Sequence, residues 1–206
     1  IDLCGVHFHI GSQITETGPF VLLCRKVGEI LDRMKDLGAE ITIVDMVGGF
    51  GIDYDDPARH PIPDFEHYFA VFRDNLQLSP DHELHFEPGR SIVGQCGSLI
   101  TRVLYVKEGT VKKFAIVDAG MTDLIRPALY QALHKIQNLT SEEPTETYDV
   151  VGPICESSDV FAKAIDLNKC RRGDLIAIRS AGAYGEIMAS SYNCRKLPKG
   201  YITEDL

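Results

Sequence analysis

The sequence predicts an α/β chain that gives way to β structure about half-way along. Three observations carry this. Over the first ninety or so residues, runs with strand-like alternation are separated by segments whose apolar residues fall at helical spacing, in the order βαβαβ. After Arg90 the helical spacing gives way to alternating runs punctuated by glycine. Strand starts near residues 3, 41 and 83 lie about 40 residues apart, which suits a βα-barrel with inserted loops better than a minimal βαβ unit.

Each element has its own warrant. "LCGVHFHIGS" reads as a strand ending at Gly11. Thr17 and Pro19 announce a helix, because proline in the first turn loses no hydrogen bond. Phe20, Leu23, Val27, Ile30, Leu31, Met34 and Leu37 follow at helical spacing, and Gly38 is the stop signal. "ITIVDMV" is a second strand, closed by "GGFG". A loop with three prolines, "DYDDPARHPIPD", leads to a second helix bearing Phe65, Tyr68, Phe69, Phe72 and Leu76. "ELHFE" is the third strand; Pro88 and Gly89 stop it and leave Glu87 at its C-terminal end. Beyond it, "GSLITRVLYVKE" and "VKKFAIVDAG" around Gly109 read as a β-hairpin, and "ETYDVVGPIC" and "GDLIAIRSAG" add strands. "TDLIRPALYQALHKI" is the one helical piece in this half, interrupted by Pro127. The boundary falls within residues 91–98, giving a barrel part at 1–92 and a β-rich part at 93–206.

Composition narrows the class. The chain has 206 residues and a formal net charge of -9, with lysine and arginine scattered, so no nucleic-acid footprint is expected. No apolar run reaches the ~18 residues that span a bilayer, and no membrane contact is expected. The six cysteines form no CxxC pair and read as reduced thiols of a cytoplasmic protein. The sequence opens directly in a strand, without an initiator Met, and three strands cannot close a barrel of eight. It is expected to be cut from a longer chain.

The motifs leave alternatives open when taken singly. The glycines of "DMVGGFGIDY" run into Asp53, Asp55, Asp56 and Pro57 rather than a helix, which excludes a dinucleotide site. What remains is a plain tight turn, or one whose N–H groups face a phosphate. "HFHIGSQ" puts His7 and His9 on one face of a strand, and His85 with Glu87 repeats the spacing, as metal ligands or as satisfied histidines. A metal leaves Ser12, the glycines and Arg90 without a purpose. Cys155 in "VGPICESSD" is a small buried hydrophobe or a group that gives or takes a proton. Tyr184 in "SAGAYG" packs on the surface or reaches an anion.

In their order, "FHIGS", "VGGFG", "HFEPGRS", "DAGMTDLIRPALY", "GPICESSD" and "GAYG" resemble the motif series of the diaminopimelate decarboxylases. These are barrel-type (fold type III) pyridoxal-phosphate enzymes, related to alanine racemase and to ornithine and arginine decarboxylases. The resemblance implies the last three strands of a (β/α)8 TIM-like barrel followed by a mostly-β C-terminal domain. It implies pyridoxal 5'-phosphate as cofactor, with Glu87 at its pyridine nitrogen and His9 stacked on its ring. Ser12, Gly49, Pro88, Gly89 and Arg90 would surround the phosphate, and Tyr184 would reach it across a homodimer interface. Arg90, Arg126, Tyr130 and Tyr184 would bind the substrate's distal carboxylate end, and Glu156 its distal ammonium. Cys155 would donate the proton that replaces the lost carboxylate, it and Glu156 serving the partner subunit's site. No metal is implied.

The implied reaction is decarboxylation of meso-2,6-diaminopimelate to L-lysine. One departure matters: the family's cofactor-anchoring lysine lies on an earlier strand, and Lys26, Lys35, Lys107, Lys135 and Lys163 stand elsewhere. The 206-residue chain alone is therefore expected to be inactive. Competing readings are a decarboxylase of the ornithine, arginine or carboxynorspermidine type, a non-catalytic regulatory relative, and a metal-dependent barrel hydrolase.

Overall fold

The computed structural model describes residues 2–205. It divides into two compact units, Ile1–Ile52 with Ile62–Ile92 and Asp53–Pro61 with Val93–Leu206. The first contains β1 (Gly5–His7), α1 (Gly18–Asp36), β2 (Ile43–Asp45), α2 (Phe65–Asn75) and β3 (Glu83–His85), with α3 (Arg90–Val93) starting at its end. The strands form a parallel sheet in the order β1-β2-β3, with His7, Asp45 and His85 in one row.

Alternation along these strands separates two chemistries. Val6, Phe8, Val44, Met46 and Phe86 pack with the apolar stripes of both helices. His7, Asp45 and His85 point to the other side, so a polar row lies opposite an apolar one. On α1 the buried stripe is Phe20, Leu23, Cys24, Val27 and Leu31. Cys24 belongs to it, whereas Ile30 and Leu37 are exposed. Gly38, at φ 80°, closes the helix: its N–H donates to Lys35 O at 2.9 Å and the Ala39 N–H to Met34 O at 3.0 Å. The Asp64 carboxylate caps α2 by accepting the His67 N–H at 2.9 Å. Tyr68 then stacks on Phe50, with centroids 4.5 Å apart.

The strands are shorter than the alternating runs suggest, but the chain stays bonded past their ends. Phe8 N–H donates to Asp45 O (3.0 Å), Met46 N–H to His85 O (2.9 Å) and Glu87 N–H to Val47 O (2.7 Å). Strand-end geometry is therefore fixed well into the loops.

The second unit contains β4 (Leu99–Glu108), β5 (Lys113–Val117), α4 (Arg126–Tyr130), β6 (Ile136–Asn138), β7 (Thr145–Val151), β8 (Val160–Asn168) and β9 (Leu175–Ile178). Six strands form one sheet in the order β6-β9-β4-β5-β7-β8, antiparallel except between β5 and β7. The sheet curls until its edges meet, where the Asn138 amide on β6 donates to the Asn168 carbonyl on β8 (3.4 Å). Val103, Val117, Tyr148, Val150, Ile176 and Ile178 fill its interior. The helix expected to be interrupted by Pro127 is a single turn that begins there and ends at Gln131, φ 54°. Ile136 already pairs in β6. Proline initiates this helix because a first-turn N–H has no partner to lose. Among the described residues no helix is long and apolar enough to cross a membrane.

Candidate active site

In the first unit the loops after the three strands converge through glycine. A Cβ at Gly49, where φ is 90°, would stand 2.5 Å from Gly11 O, and one at Gly48 would strike the Glu87 carbonyl. Glycine lets the three chain ends approach where any side chain would hold them apart. Beside them Arg90 Nη2 donates to Ser12 Oγ at 3.0 Å. Backbone N–H groups, a hydroxyl and a guanidinium at one end of a sheet make a place for an anion.

A second cluster lies on the polar row. His7 Nδ1 is 3.1 Å from Asp45 Oδ2, and Asp45 Oδ1 accepts the Val47 N–H at 2.8 Å. Glu87 joins them, one ligand atom each from His7, Asp45 and Glu87 lying within 4.8 Å of the others. His9 is exposed and outside this trio, and His85 pairs with Glu83 at 3.3 Å.

Val47, between Asp45 and the glycines, has φ 53°. A β-branched residue in the left-handed region is strained, held here by the Asp45 bond to its N–H and the Glu87 bond to its carbonyl. Val47→Gly should therefore raise stability by about 1 kcal/mol, relief of strain exceeding glycine's entropy cost. A denaturant midpoint measures it; a lower midpoint would mean that the Val47 side chain contributes more than the strain removes.

The second unit brings together another set. Arg126 is 6% exposed, with its guanidinium carbon 5.5 Å from the Tyr54 ring centroid and 5.9 Å from that of Tyr184. Two aromatic faces thus hold one buried cation. Tyr184 sits on the turn after β9 at φ 58°. Tyr130, at the far end of the same helical turn, is exposed.

The loop after β7 is built around Asp159, which is 3% exposed. Its carboxylate accepts N–H bonds from Met121 (2.6 Å) and Ile154 (2.7 Å). Burial pushes this carboxyl up from its ordinary range, and the two N–H bonds oppose that shift. The loop presents Cys155 and Glu156 to solvent. Tyr192 Oη donates to Glu156 Oε1 at 2.6 Å, and the Cys155 N–H donates to Asn193 Oδ1 at 3.1 Å. Cys24 and Cys170 differ from Cys155: both are buried, and burial pushes their thiols up to about 11.

Residues 14–182 match the family model of the pyridoxal-dependent decarboxylases, C-terminal sheet domain. The chain belongs to the pyridoxal-dependent decarboxylases. It is 64% identical over 206 residues to a diaminopimelate decarboxylase of Bacteroides thetaiotaomicron, all of this chain matching 53% of that protein. The crystal structure of a Helicobacter pylori diaminopimelate decarboxylase complexed with L-lysine superposes with TM-score 0.82 at 43% identity, over 92% of this chain and 46% of that one. A Vibrio vulnificus lysine/ornithine decarboxylase shares the fold at TM-score 0.80 and 24% identity, over 92% of this chain and 51% of that one. The chain spans about half the length of the curated relatives it matches.

Ser12, Gly49, Glu87, Pro88 and Arg90 stand around the strand ends of one unit. Arg126 with Tyr184, and Cys155 with Glu156, form two groups in the other. Sequence reasoning passed over Asp45, Tyr54, Tyr192 and Asn193. Asp45 carried a signal, the one carboxylate in an otherwise apolar strand "ITIVDMV". Tyr54 carried none, since nothing local ties an aspartate-rich loop to an arginine more than seventy residues later.

Proposed function

We propose that this chain forms part of a diaminopimelate decarboxylase, acting with pyridoxal 5'-phosphate to convert meso-2,6-diaminopimelate to L-lysine within a homodimer. The observation that carries the substrate reading is the buried Arg126 guanidinium between Tyr54 and Tyr184. A fixed guanidinium fork receives a carboxylate, which diaminopimelate has at its far end. Ornithine ends in a bare ammonium and gives such a fork nothing to bind.

The residues present suit the cofactor. The glycine-lined strand ends with Ser12 and Arg90 offer donors to a phosphate, and Glu87 offers a carboxylate to a ring nitrogen. When bound, pyridoxal phosphate supplies the electron sink into which the charge left by the departing carboxylate drains. The chain's own residues do the rest. Ser12, Gly49, Pro88, Gly89 and Arg90 would hold the phosphate, which Tyr184 would reach across the homodimer interface, and His9 would stack on the ring. Glu87 would keep the ring nitrogen protonated, since a nearby negative charge favours the charged form. Arg126, Tyr130, Arg90 and Tyr184 bind the distal carboxylate, and Glu156 the distal ammonium. Cys155 delivers a proton to Cα from the partner subunit's side.

No lysine among the described residues stands in the loops after β1, β2 or β3, so a test needs the remainder of a family member. A chimera supplies it: this chain replaces the matching 53% of the Bacteroides thetaiotaomicron relative. Offered meso-diaminopimelate, ornithine and arginine in parallel, the purified chimera should release carbon dioxide from the first with kcat/KM at least ~100-fold above the others, as expected where a site's polar group matches one substrate and not its competitors. Preference for ornithine or arginine would overturn the substrate reading.

A further inference from the structure

We propose that Tyr192 and Asn193 are positioning residues for the loop carrying Cys155 and Glu156, and that Tyr192 fixes how Glu156 meets the substrate's distal ammonium. The inference rests on the reading of Glu156 given above. Two neighbouring side chains reach two neighbouring loop residues: the Tyr192 hydroxyl donates to Glu156 Oε1 (2.6 Å) and the Asn193 carbonyl oxygen accepts the Cys155 N–H (3.1 Å). Both side chains leave a short 3-10 turn, Tyr192–Cys194, whose backbone is not helical at Asn193. Asn193 and Cys194 are consecutive non-glycine residues in the left-handed region, at φ 55° and 59°. Such a pair is costly and persists only where its surroundings over-determine it.

Those surroundings are visible on both sides of the turn. Ser190 N–H donates to Thr122 O at 2.9 Å. Arg195 Nη2 donates to Asp118 O at 2.5 Å and lies 3.5 Å from the Asp123 carboxylate. The strained turn is thus pinned before and after, and its two side chains are aimed at the loop. The chemistry follows from the donor. The hydrogen bond to Glu156 holds the Tyr192 phenol above its ordinary range, which favours its role as the donor. A phenol committed to Oε1 orients the carboxylate and leaves Oε2 for an ammonium. Without it Glu156 is an exposed side chain with its rotamers free, and ordering it falls to the substrate.

The test uses the chimera and two readouts, calorimetric binding of L-lysine and the KM and kcat for meso-diaminopimelate. Tyr192→Phe keeps the ring and removes the donor. It should weaken lysine binding and raise KM by about 10-fold, the scale of one hydrogen bond to a charged group, with kcat within about twofold. Glu156→Gln should weaken lysine binding as well, and the double variant should be no worse than Glu156→Gln alone, because the phenol acts through the carboxylate. Asn193→Ala should lower kcat more than it raises KM, since it loosens the chain at Cys155. Unchanged lysine binding in Tyr192→Phe, with Glu156→Gln impaired, overturns the positioning role and leaves the parent reading intact. Unchanged binding in Glu156→Gln overturns the parent reading, and this inference with it.

Discussion

Cys155→Ala is expected to lower turnover of the chimera by roughly 10²–10⁴-fold, the range typical of a lost general acid, while lysine and cofactor binding stay near those of the parent. The thiol is exposed, so its removal leaves no core cavity. Its loop is held by contacts that do not involve the Cys155 thiol: the Asp159 carboxylate on Ile154 and Met121, and Asn193 on the Cys155 N–H. A loss of activity would therefore report the proton and not the fold. Cys24→Ala offers the contrast, since that thiol is buried and pushed up to about 11 by burial. Its replacement should cost stability and leave kcat alone. The proposed placement of Cys155 in the partner subunit's site adds a second arm. Mixing the Cys155→Ala chimera with one lacking the cofactor-anchoring lysine should restore part of the activity, because some hybrid dimers contain one intact site. Recovery of nothing, although subunits demonstrably exchange, would sink the cross-interface placement.

How much of this was legible in the sequence depends on the range of the cause. Helix α1 was readable end to end because each of its signals is local: Pro19 in the first turn, the stripe from Phe20 to Leu31, and Gly38 at the stop. The hairpin of β4 and β5 was equally local, its turn closed by the Gly109 N–H on Lys112 O. Strand β8 was missed because its alternation breaks at Ala164. That residue has φ 51° and turns its N–H to Asp149 on β7, a bulge that only the neighbouring strand explains. The order of the six strands lay beyond local reading too, since β9 pairs with both β6 and β4 across distant sequence.

The candidate site divides in the same way. Glycines that admit close backbone approach announce themselves, because glycine clusters after a strand need a reason, and Gly48 and Gly49 have one. Partners do not announce themselves. Asp45 is linked to His7 by adjacent strands in register, and Arg126 is held by a tyrosine from a separate loop. Periodicity finds the residues of a face; only the pairing of strands says what stands next to what.

Glu87→Gln is expected to lower turnover on the order of 10²-fold or more with the cofactor still bound. Glutamine matches glutamate in shape, so the strand end should be undisturbed: the residue's own N–H remains bonded to Val47 O at 2.7 Å, and Gly48 still packs against its carbonyl. What changes is charge. Glu87 stands with Asp45 and His7, one ligand atom from each lying within 4.8 Å of the others, so two carboxylates gather at the strand ends where the proposed reading seats the ring nitrogen. A carboxylate there favours the protonated ring, and a protonated ring is the better sink for the charge that builds at Cα. An amide favours neither form. Preorganised charges at such positions contribute a few kcal/mol, which sets the scale of the loss. The measurement is kcat for meso-diaminopimelate beside the stoichiometry of bound pyridoxal phosphate, read from its absorbance after dialysis. Reduced turnover at full occupancy assigns the carboxylate to the chemistry. Reduced turnover with the cofactor lost would instead make Glu87 a binding group, and unchanged turnover would remove its role altogether.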